Sequence, residues 1–134
     1  MNAIKNFNTR GGQISLSFEM SNVTGLLPIF TEVYLEIVDN GNFYSKVVAS
    51  STDNTANIPS TSIGDSINHK NGTLVFETML QYDNEESLDE QIKALELKYS
   101  LSENGNNKVY TKYDDYYPAS KKKLVKIVKN IDLS

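Results

Sequence analysis

The residues able to do chemistry in this chain are few, and their types narrow that chemistry quickly. His69 is the only histidine and cysteine is absent. A nucleophile–base relay or a thiolate metal site therefore lacks its parts. His69 stands in a turn-like run, Ser66-Ile67-Asn68-His69-Lys70-Asn71-Gly72, where exposure is the expectation. Arg10 is the only arginine, which leaves no paired guanidinium clamp for phosphate or carboxylate. No glycine-rich phosphate loop of either common spacing occurs. Carboxylates remain. Asp83, Glu85, Asp114 and Asp115 head the acidic stretches and are the candidates for a hard cation such as calcium, which takes oxygen ligands from convergent loops. If every strand reverses direction, loops 50–57, 83–90 and 114–120 share one end of the fold. None of them carries the spacing of a helix–loop–helix calcium site.

Three other groups read as contact surface. Leu26, Leu27, Ile29 and Phe30 crowd large apolar side chains around Gly25 and Pro28. Such a loop either covers one end of the core or meets a partner. Tyr116 and Tyr117 close a tyrosine-rich segment, and tyrosine offers apolar area with a polar tip at low entropic cost. Lys121, Lys122 and Lys123 open a basic tail. Residues 119–134 hold 5 lysines against 1 acid, a net of +4, whereas residues 1–118 hold 16 acids against 8 bases, a net of −8. Lysines on an acidic chain, without interleaved arginines or stacking aromatics, do not suit nucleic acid. They suit an edge strand guarded against pairing, or the basic strand of one copy meeting the acidic end of another.

The elements that must position these groups are strands. Leu95, Leu97, Tyr99 and Leu101 fall on alternate positions, with Glu96, Lys98, Ser100 and Ser102 between them. Glu103-Asn104-Gly105-Asn106-Asn107 then reverses the chain, and Val109 to Tyr113 return. Ile14, Leu16, Phe18 and Met20 alternate in the same way, as do Val33, Leu35 and Ile37 ahead of the turn Asp39-Asn40-Gly41-Asn42. Phe43 to Ala49 return from that turn. Ile58 and Ile63 anchor a weak strand, and Thr73 to Tyr82 form a long one. Asp83 to Glu90 suits one helical turn. Residues 121–131 fit one face of either a helix or a strand, and their β-branched content favours the strand.

These patterns predict an all-β chain: an antiparallel β-sandwich, immunoglobulin-like or jelly-roll, with seven to eight strands and little helix. A rolled barrel with one short helix is the alternative. Residues 1–134 read as one domain, with 1–12 an N-terminal arm. No window is long and apolar enough to span a bilayer and no export leader opens the chain, which points to a cytoplasmic or virion-associated location. The functional expectation is a non-catalytic structural or protein-interaction subunit, without cofactor, in an assembly of virion or injection-machine type. The alternative is a calcium- or carbohydrate-binding module using the acidic, tyrosine-bearing loops.

Overall fold

Hydrophobic alternation becomes strand after strand in the computed structural model, which describes residues 5–66, 69, 71–119 and 122–134. The strands are β1 (Lys5–Phe7), β2 (Gln13–Ser21), β3 (Leu26–Asp39), β4 (Asn42–Ser50), β5 (Ile58–Asp65), β6 (Thr73–Tyr82), β7 (Glu96–Glu103), β8 (Asn106–Tyr110), β9 (Asp115–Pro118) and β10 (Leu124–Leu133). A 3-10 turn at Glu85–Ser87 leads into the short helix α1 (Leu88–Ala94) between β6 and β7. The chain is all-β, and the described residues hold ten strands rather than seven or eight. The short β1 and β9 are too brief to announce themselves by alternation.

Two hairpins follow from Asn-Gly pairs. Asn40 and Gly41 have φ of 51° and 80°, and Asn104 and Gly105 have φ of 46° and 84°. Two consecutive left-handed residues give the turn whose twist matches the flanking strands.

The strands form two sheets. One has six strands in the order β1-β10-β6-β3-β4, with β9 also on β10; the other runs β5-β2-β7-β8. β10 is interior, not an edge. β6 pairs with it along one side, while β9 takes Val125–Val128 and β1 takes Ile131–Leu133 on the other. The β1–β10 pairing is parallel, and every other pairing among the described residues is antiparallel. The lysines of this segment therefore do not guard a free edge, and the segment is strand, not helix.

One apolar cluster joins the sheets. Phe76 of β6 meets Tyr99 of β7 edge-on at 5.1 Å, and Tyr99 also meets Phe18 of β2 at 5.0 Å. Phe7, Ile14, Leu74, Leu80 and Val125 are fully buried around them. Each such side chain contributes about 1.5–3 kcal/mol by leaving water. Leu88 and Ile92 of α1 close the cluster at one end.

Three expectations change. Leu26–Phe30 is not a loop but the start of β3. Pro28 is accommodated because the β3–β6 register shifts between Pro28 and Phe30, and a bulge relaxes the ladder where proline has no N–H to give. Residues 5–12 do not project as an arm. Ser134 N–H donates to Phe7 O at 3.0 Å, and Thr9 N–H donates to Ser134 O at 2.7 Å. His69 is buried, not exposed, with Nε2 2.7 Å from Ile63 O. It folds inward over Gly64, whose φ of +104° no side chain readily adopts.

Candidate functional site

The ladder register assembles a surface from residues far apart in sequence. Phe30 pairs with Met79, Met79 with Lys126, and Lys126 with Tyr117. Directly opposed residues share a face, so these four form a row across β3, β6, β10 and β9. The row points away from the core. Its neighbours Thr31, Thr78 and Ile127 form the adjacent inward row and are buried, and the two threonine hydroxyls there lie 2.9 Å apart. Leu27, opposite Gln81, extends the outer surface and is 56% exposed. Phe30 is 38% and Tyr117 53% exposed.

The next outer rows mix charge with apolar area. Glu32 lies opposite Glu77, a like-charge pair that neighbouring strands ordinarily avoid. Lys126 relieves it with Nζ 3.4 Å from Glu77 Oε2, and Tyr34 donates its hydroxyl to Glu32 Oε1 at 3.3 Å. Desolvation, then the charges of Glu32 and Glu77, push the Tyr34 phenol above its ordinary value. Phe30, Tyr34, Met79 and this charged trio line a shallow groove of about 260 Å³. Beyond it Tyr34 stands between Val75 and Val47.

The other sequence candidates divide. Leu26 is buried at the end of the core, and Ile29, beside the bulge, is 39% exposed. Tyr116 is half-buried; it donates to Asp89 Oδ1 at 2.7 Å and its ring meets Tyr113 at 6.1 Å. Lys122 and Lys123 turn the chain with φ of 62° and 52°. Lys123 Nζ donates to the Asp83 carbonyl at 2.9 Å, and Gln81 Nε2 reaches the Lys122 carbonyl at 3.5 Å. This basic turn therefore borders the Leu27 end of the surface. Lys121 lies outside the described residues.

The acidic candidates do not gather into a cation site. Asp83 and Glu85 are exposed beyond the end of β6. Asp114 is drawn inward instead, 3.3 Å from Lys129 Nζ and accepting the Asn130 N–H at 2.7 Å. Asp115 accepts the Tyr116 N–H at 2.8 Å. Among the described residues no three histidine or carboxylate side chains come together in a way that could hold a metal ion. Lys129 engages Asp114, one of the carboxylates that a loop-borne calcium site would draw on.

Met79, Lys126, Tyr34 and Val47 belong to the surface without having been singled out in the sequence. For Met79, Tyr34 and Val47 the only signal is a largely apolar side chain on a strand position that alternation assigns to solvent, and Lys126 carries no such signal. No protein-family model, curated protein sequence or solved structure matches this chain. No helix among the described residues is long and apolar enough to cross a membrane.

Proposed function

We propose that this protein is a non-catalytic structural or interaction subunit, and that it engages a protein partner through the outer face of its six-stranded sheet. The architecture we assign is a β-sandwich of immunoglobulin-like or jelly-roll type, working in an assembly in the cytoplasm or in a virion-like particle. The observation that carries the reading is the row Phe30–Met79–Lys126–Tyr117, with Leu27 beside it, on a face that no described element covers. Aromatic residues and methionine are enriched in protein interfaces, and the basic turn at Lys122–Lys123 supplies a polar rim. The single histidine supports the non-catalytic part, because its Nε2 is engaged by a backbone carbonyl within the fold.

Affinity capture from the native source, comparing the wild type with a Phe30→Ser/Tyr117→Ser variant, tests this reading. A partner retained by the wild type and lost by the variant, with circular dichroism unchanged, is expected. Retention of the same proteins by both would overturn it. So would saturable quenching of tyrosine fluorescence by an oligosaccharide that the variant abolishes, since exposed aromatic rings on a flat face also stack on sugars.

A further inference from the structure

The opposite edge of the six-stranded sheet carries a second surface, and the reading above does not depend on it. Among the described residues β4 forms this edge and pairs on one side only. Sheet edges expose unpaired N–H and C=O groups, and proteins blunt them with short strands, proline, charge or bulges. Among the described residues the other edges all do so. β1 has 3 residues, β9 has 4 and ends at Pro118, and β8 has 5 with Lys108 among them. β5 carries Pro59 and two register shifts against β2. β4 has 9 residues, no proline and a single charge, Lys46, and its ladder with β3 is regular from Asn42 to Val47.

The β3–β4 hairpin is also apolar on both faces. Val38 lies opposite Phe43 on the outer side, and Ile37 lies opposite Tyr44 on the inner side. Val38, Phe43, Tyr44 and Val47 are 69%, 62%, 57% and 48% exposed. The inner side opens into a groove of about 650 Å³ lined by Leu35, Ile37, Tyr44 and Asn71, among others.

We infer that β4 pairs antiparallel with β4 of a second copy about a two-fold axis at Ser45, joining the two six-stranded sheets edge to edge. Turn geometry sets which groups are available. In a two-residue hairpin the flanking pair, here Asp39 and Asn42, exchanges hydrogen bonds, and bonded pairs then alternate. Asn42, Tyr44 and Lys46 therefore bond to β3, while Phe43, Ser45 and Val47 direct their backbone groups outward. An axis at Ser45 uses this whole flat stretch. It sets Phe43 against Val47 of the other copy and Lys46 against the Tyr44 ring, a cation over an aromatic face.

Neighbouring registers are worse. An axis at Lys46 opposes two ammonium groups and runs Phe43 past the irregularity near Val48, where the β3–β4 register shifts between Val33 and Tyr34. An axis at Tyr44 runs Val47 against Gly41 in the turn. Register and the cation–aromatic match thus favour a second copy as occupant, because a strand with one lysine and one tyrosine in this phase is its own complement.

Sedimentation equilibrium over roughly 10 to 500 µM tests the pairing, since an edge contact is narrower than the roughly 800 Å² per partner of a standard interface. The wild type should approach twice its monomer mass. Ser45→Pro removes an outward N–H without touching the β3 ladder and should weaken association at least about tenfold, with unchanged circular dichroism. Ser45→Cys, in a chain with no other cysteine, should form a covalent dimer on mild oxidation, because bonded opposed residues lie about 5.5 Å apart. Tyr44→Cys should not, its mate being diagonal at about 7–8 Å. A wild type that stays monomeric at the highest concentration overturns the inference. So does a Tyr44→Cys protein that cross-links as readily as Ser45→Cys. Loss of partner capture through Phe30 and Tyr117 leaves this result unaffected, so the two readings fail separately.

Discussion

Lys129 Nζ lies 3.3 Å from Asp114 Oδ1 on the inward side of β10, its side chain only 2% exposed, with the Tyr110 ring centroid 5.7 Å away. A lysine at a core position of an interior strand is tolerable only because the segment between β8 and β9 brings a carboxylate to it. Removing the acid should therefore cost more than removing the base. Asp114→Asn keeps an acceptor for the Asn130 N–H but strands a buried cation, and should destabilise by about 3 kcal/mol in urea unfolding. Lys129→Met should cost less, about 1–2 kcal/mol, because the Asp114 carboxylate left behind is 15% exposed to water and still accepts the Asn130 N–H, whereas the stranded ammonium is 2% exposed. Equal losses from the two variants would contradict this account.

Tyr99 places a hydroxyl in the centre of the core, where it has no hydrogen-bond partner among the described residues. Burial, with a smaller push from Asp114, raises its phenol well above the ordinary value, so it stays protonated throughout the working range. Tyr99→Phe removes an unsatisfied group and keeps the ring contacts to Phe18 and Phe76. Thermal unfolding should show a stabilisation of up to about 1 kcal/mol. A loss of more than that would mean the hydroxyl is bonded in solution.

Glu103, 1% exposed, holds the segment ahead of β2 by accepting two backbone donors: Arg10 N–H at 2.6 Å on Oε1 and Gly12 N–H at 3.1 Å on Oε2. A Cβ at Gly12 would lie 2.2 Å from the side-chain amide nitrogen of the exposed Asn104, which would have to swing aside. Glu103→Ala should speed amide hydrogen exchange at Arg10 and Gly12 and cost about 2 kcal/mol, the usual effect of orphaning donors bonded to a charged group. Exchange unchanged at both amides would refute the assignment.

Asp89 of α1 is tied to β9 through Tyr116. The Tyr116 hydroxyl first, and Lys93 second, hold the Asp89 carboxyl below its ordinary value. A depressed acid adds stability above the ordinary carboxylate range and loses it as pH falls through the folded value. The same bond raises the Tyr116 phenol, so that contribution is present below the ordinary phenol range and lost as pH rises through the folded value. In Tyr116→Phe, NMR titration should find the Asp89 carboxyl shifted upward, though not fully restored, because Lys93 remains 2.9 Å away. A carboxyl that does not move would show that the helix is not tied to β9 in this way.

Where signals are local, the sequence is readable. The alternation of Thr73–Tyr82 and the Asn-Gly turns at positions 40–41 and 104–105 give strands and hairpins at the residues where they occur. Leu26–Phe30 misleads, because Gly25 and Pro28 are loop residues unless a bulge receives the proline, and a bulge is a property of pairing. The contact surface was half visible. Leu27, Ile29, Phe30 and Tyr117 stand out by type, but that Phe30 and Tyr117 share one row depends on Met79 and Lys126 linking them. Long-range register has no local signature. The burial of Lys129 was hidden for the same reason, since only the fold brings Asp114 beside it.

The interior place of β10 also governs when the molecule can acquire its shape. β10 pairs with β1, β6 and β9, so a nascent chain that has not yet exposed Leu124–Leu133 holds three strands without their common neighbour. The pairing of Lys5–Phe7 with Ile131–Leu133 joins segments from opposite ends of the sequence. Such contacts form only after the closure of long loops, which slows folding and lengthens the life of species with open strands. On the ribosome, the six-stranded sheet is thus completed after release of this segment, and until then β6, paired with β3 on one side, keeps its other edge open.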